Sequence, residues 1–89
     1  MLDMTEHNTL VERLNKCDIL IKGYAGKSVV RMDLKKMYKN VYEEYTKLDR
    51  ILVDCRRTKR WGSAYKLQCE KLLPMLSTLE KRITWAALM

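Results

Sequence analysis

Apolar positions along this chain fall into three runs of helical spacing, separated by two short polar breaks. In the first, Leu10, Leu14, Cys17 and Ile21 recur at steps of four, three and four, which predicts a helix over about residues 5–22. Thr5 or Asn8 is the expected N-cap, and Gly23 the residue that takes the left-handed position after the last turn. The stretch GYAGK at 23–27 then reads as a turn. Ser28 is the expected cap of the second helix, which the pattern Val30, Leu34, Met37, Val41, Tyr45, Leu48, Leu52 and Cys55 carries to about residue 56. Neither Gly nor Pro interrupts it, and at 1.5 Å per residue such a helix is ~42 Å long.

The third run is the most regular. Tyr65, Cys69, Leu72, Leu76, Leu79, Ile83 and Ala86 alternate steps of four and three, a heptad seam over about residues 63–88. Pro74 lies inside it. Proline lacks an amide hydrogen and crowds the carbonyl four residues back, so a kink or short break is expected there. Short connections favour antiparallel neighbours. The pattern therefore predicts an all-α fold, a single three-helix bundle over residues 1–89 with a long second helix and a Pro-kinked third. A first helix this short is expected to leave part of the long-helix seam uncovered. The alternative is a histone-like handshake of helix, long helix and helix, which rests on proportions alone.

Composition changes this picture little, and charge changes it more. With 89 residues, three glycines, one proline and no phenylalanine, the chain is a helix-favouring single domain with a thin core. Its net charge of +7 is uneven along the sequence: residues 1–27 balance, residues 28–55 carry one excess base, and residues 56–89 carry eight bases against two acids. A field of that sign attracts nucleic acid, anionic lipid or an acidic protein surface. Cys17, Cys55 and Cys69 are too widely spaced for a disulfide framework or a zinc motif, and read as small buried apolar residues in a reducing compartment. No apolar run approaches the ~20 residues of a membrane span. These features point inside the cell, to cytoplasm or nucleus.

Catalytic patterns are missing from the sequence. His7, the sole histidine, sits near the N-terminus off the apolar stripe, away from any serine or cysteine partner. Glu43 with Glu44, and Asp49 with Asp54, are expected to be solvated acids among lysines, not converging pairs. GYAGKS at 23–28 lacks the spacing of a phosphate loop. The expectation is no enzyme, no catalytic residue, no cofactor, no metal and no small-molecule substrate.

Two binding surfaces remain. In CRRTKRWGSAYK at 55–66, Arg56, Arg57, Lys59, Arg60 and Lys66 surround Trp61; arginine forks suit phosphates, and an indole stacks on bases or guanidinium groups. Beside the main seam of the third helix, Met75, Thr78, Arg82, Trp85 and Met89 form a second stripe, the mark of a helix with two neighbours. Tyr38 and Tyr42, on the flank of the second helix, extend the candidate partner surface. The expected function is a non-enzymatic interaction module that self-associates or docks a partner chain through exposed seams. The alternative is a nucleic-acid-binding protein gripping phosphates through residues 56–60 with Trp61. A membrane surface ranks behind both, because the basic run is short and large apolar residues accompany it only around Trp85.

Overall fold

A computed structural model of the chain describes residues 4–60 and 62–88; Trp61 and Met89 lie outside the described residues. It contains three helices: α1 (Thr5–Lys22), α2 (Ser28–Thr58) and α3 (Ser63–Leu88). The heptad patterning thus locates every element, with α2 running two residues beyond its expected end.

The helix ends differ from expectation. Met4 and Lys27 occupy the N-cap positions, without side-chain caps, so Thr5 and Ser28 are already helical and Asn8 lies in the first turn. Gly23 has φ −85°, an ordinary right-handed value, and donates its amide to the Ile19 carbonyl at 3.0 Å. The left-handed residue is instead Lys59, with φ 59° and ψ 35°. There the Arg60 amide reaches back to the Cys55 carbonyl at 3.0 Å, the closing bond of a Schellman turn. α3 runs unbroken through Pro74, and Thr78 Oγ1 donates to the Pro74 carbonyl at 3.0 Å.

The helices run up, down and up. His7 of α1 meets Tyr65 at the start of α3, Arg13 meets Glu80, and Leu20 and Tyr24 share a cavity wall with Ala86 and Ala87. α1 and α3 are therefore parallel, with α2 antiparallel to both. The chain measures 46 × 19 × 17 Å, and 31 residues of α2 at 1.5 Å each account for the long dimension. All three helices share one core, which is a bundle and not the histone-like arrangement.

Leu10, Leu14, Cys17 and Ile21 of α1, Leu34, Val41 and Leu48 of α2, and Leu72, Leu76, Leu79, Ile83 and Ala86 of α3 form that core. Leu48, Leu72, Leu76 and Leu79 are wholly enclosed. The expected overhang is not exposed. Leu52 and Cys55 are buried as well, at the end of α2 where α3 begins, so the long-helix seam is covered there, while Val30 and Met37 towards its other end are half-buried. The cysteines are free thiols, two buried and Cys69 half-buried. No described helix is long and apolar enough to cross a membrane.

Candidate functional site

Two polar residues that the pattern placed in solvent are inside. His7 is 5% exposed, its Nδ1 lies 2.9 Å from the Tyr65 hydroxyl, and its ring packs against Tyr45 and Tyr65 at centroid distances of 6.0 and 6.2 Å. Burial lowers its pKa, with nearby Arg56 adding to the effect and Asp49 opposing it. The signal was present in the spacing: position 7 is three before Leu10 and extends the repeat 10, 14, 17, 21 backwards by one step.

Glu44 is the second. It accepts hydrogen bonds from Gln68 Nε2 at 2.9 Å and from the ammonium groups of Lys47 and Lys71 at 3.1 Å, while Gln68 also donates to its main-chain carbonyl. These donors, Gln68 first, hold its carboxyl down at about 2. Glu44 belongs to the stripe 37, 41, 44, 48 that faces α3, whereas Tyr45 belongs to the stripe that faces α1. A helix between two neighbours carries both. Glu43 is exposed, as expected. A third clamp joins α1 to α3, where Arg13 donates Nε to Glu80 at 3.0 Å and Nη2 to Ser77. Among the described residues no cluster of three His, Cys, Asp or Glu side chains could hold a metal ion.

At one end of the bundle, Arg56, Arg57, Lys59, Arg60 and Lys66 are brought together by the α2–α3 turn, all exposed. Arg57 pairs with Asp54 at 3.3 Å, an exposed contact that adds little. The left-handed Lys59 reverses the chain and keeps these bases on one tip. Trp61, the aromatic partner expected there, lies outside the described residues.

The opposite end holds the apolar surface. The described residues include ten exposed large apolar side chains, and six of them, Ile19, Leu20, Val29, Met32, Trp85 and Leu88, belong to the last turns of α1 and α3 or the first turns of α2. Arg31 fixes that end by donating Nη2 to the Lys22 carbonyl at 3.0 Å. A groove of about 420 Å³ opens between α2 and α3, lined by Val30, Asp33, Leu34, Met37, Arg82, Trp85 and Ala86. α1 packs on the other flank of α3, where Arg13 reaches Glu80, and leaves Trp85 67% exposed. Met75 is half-buried against the core and does not line the groove.

Tyr38 and Tyr42 are not part of that surface. Their rings stack at 6.0 Å, and Tyr38 joins the core margin near Asp18 and Cys17 on the α1 side of α2. The expected partner surface is therefore two separate places. Ile19, Leu20, Val29, Met32 and Leu88 escaped the pattern because each stands alone off its stripe. Up-down-up topology is what gathers them.

Folding also redistributes charge. Residues 16–36 and 80–88, around the apolar end, carry eight bases against three acids; residues 50–66, at the other end, carry six against one. The remaining described residues are net acidic, and Glu6 among them, at the start of α1, lies at the second of these ends near Tyr65 and Cys69. Excess charge that is concentrated in the last third of the sequence thus becomes two basic poles, because α3 carries Lys81 and Arg82 the length of the bundle away from Arg56. No known protein family, curated protein or solved structure matches this chain.

Proposed function

We propose that the chain is a non-enzymatic interaction module whose working surface is the apolar end of the bundle. The convergence there of six exposed apolar side chains from three helices supports this reading. Single exposed apolar residues are ordinary, but six gathered at one end of a bundle mark a contact surface. Because most of the heptad seam is buried within the bundle, the surface offered to a partner is this end and the α2–α3 groove beside it. A second copy is an unfavourable occupant, since joining two such ends opposes eight bases with eight.

An apolar anionic dye tests the reading. Anilinonaphthalene sulfonate is expected to brighten on the native protein under conditions where unfolding remains cooperative. The signal should fall several-fold in a Trp85→Ser, Leu88→Ser double variant and persist in an Arg56→Gln, Arg57→Gln variant. A dye that stays dark, or that follows the arginines instead, would refute the proposal.

The opposite pole supports a second reading, nucleic-acid binding, through five exposed bases on one tip. If all five meet phosphates, affinity for labelled DNA or RNA should drop by about two to three decades between roughly 50 and 200 mM salt. Fluorescence anisotropy measures this, and a flat salt response excludes it.

A further inference from the structure

The apolar end has a geometry that selects among occupants. Ile19 stands two residues from both Cys17 and Ile21, Met32 two from Leu34, and Leu88 two from Ala86, all of them core residues. Two positions along a helix are roughly 160–200° around it, so each of these side chains leaves the bundle on the outer face of its own helix. They diverge in three directions at one level. A protein docking on one side buries side chains from two neighbouring helices at most. A medium that surrounds the end covers all three.

Charge narrows the choice. Of the three acids near this end, Asp18 pairs with Lys22 at 2.9 Å and Glu80 is held by Arg13, which leaves Asp33 against a ring that includes Lys27, Lys35, Lys36, Lys81 and Arg82. The surface this end meets is therefore both apolar and anionic. Lysine and arginine stems lie along apolar surface while their heads reach outward to phosphates, and an exposed indole suits the boundary between headgroups and acyl chains. At the tip, the 23–27 turn presents exposed Gly23, Ala25 and Gly26, small enough for close approach.

We infer that this end of the bundle docks end-on to an anionic lipid surface, with its apolar collar at the headgroup–acyl boundary and its bases on the lipid phosphates. The inference rests on the docking function proposed above and names what the docking surface meets. No linear stretch of the sequence shows it, because the collar is assembled from three segments; the amphipathic element is the bundle end, not a single helix. Bound this way, the 46 Å long axis carries the Arg56–Arg60 pole away from the membrane.

Vesicles of phosphatidylcholine alone, and of phosphatidylcholine mixed with phosphatidylglycerol, provide the test. In a Trp61→Phe variant, Trp85 is the sole indole, and its emission should shift to the blue with the mixed vesicles. The unmodified chain should co-sediment with them and bind phosphatidylcholine alone at least about tenfold more weakly. Ile19→Ser, Met32→Ser and Leu88→Ser, one on each helix, should each reduce partitioning by about tenfold, the loss expected for one buried apolar side chain. No co-sedimentation with mixed vesicles, alongside a positive dye result, overturns the lipid assignment and makes the occupant a protein. Binding that is lost with Arg56→Gln, Arg57→Gln and indifferent to Leu88→Ser overturns it in favour of the other pole. A negative dye result removes the docking function itself.

Discussion

Leu76→Ala is expected to lower the unfolding free energy by about 3 kcal/mol, the mid-range for truncating a fully enclosed leucine. Leu76 has no solvent exposure and belongs to the core cluster contributed by all three helices. Removing three carbons there forfeits their transfer energy and leaves a cavity that long, straight helices cannot close without moving along their whole length. An 89-residue domain has roughly 4–13 kcal/mol of stability in total, so the loss is a large fraction of it. Thermal unfolding followed by circular dichroism should show the midpoint about 12–24 °C lower. Leu67→Ala, at a residue 64% exposed on the same helix, is the control and should change stability by no more than about 0.5 kcal/mol. Equal effects at the two positions would mean that α3 does not face the core with the phase described.

That phase was readable in advance. Every residue of the α3 seam from Tyr65 to Ala86 is buried or half-buried, and so is every seam residue of α1 and α2. The reason is physical: a helix gains most by burying a continuous stripe, so period and phase survive whatever the partner helices are. Helix ends were less legible. Gly23 looked like a left-handed terminator but continues in right-handed geometry, while Lys59 bears the positive φ, because the tight reversal after Thr58 requires it whichever residue stands there. Single-stripe reading also hid Glu44, since it assigns one inward face to a helix that has two neighbours. His7 lies on the α1 stripe itself, where a polar residue near a chain end reads as solvated.

The candidate sites divide along the same line. The 56–60 bases are contiguous in sequence, and a turn keeps them contiguous in space. The apolar end is dispersed over residues 19–32 and 85–88, and its existence depends on α1 and α3 being parallel. Topology of that kind is not encoded in any one stretch. It follows from both connections being short, which places residues 22, 28 and 88 at one end and 58 and 63 at the other. Trp85 was identified by its stripe. Its neighbours on the other helices were not, because their significance is collective.

Pro74→Ala is expected to stabilise the protein by about 2 kcal/mol. Proline in a helix interior is roughly 3 kcal/mol less favourable than alanine, because it removes the amide that would bond the carbonyl of Glu70 and crowds that carbonyl. Proline restricts the unfolded chain, which returns up to about 1 kcal/mol. The remaining difference favours alanine, and nothing at the site opposes it: Pro74 and Glu70 are both exposed, so the change alters no core volume. The urea midpoint should rise with an unchanged slope. A loss of stability would carry a specific meaning, that the path imposed at residue 74 is what seats Leu72 and Leu76 together in the core. Vesicle binding separates the two cases further. If the proline is merely tolerated, the alanine variant keeps Trp85 and Leu88 where they are and binds anionic vesicles as the parent does. If the proline sets the direction of the last four turns of α3, it also sets the position of the apolar collar, and partitioning falls with stability.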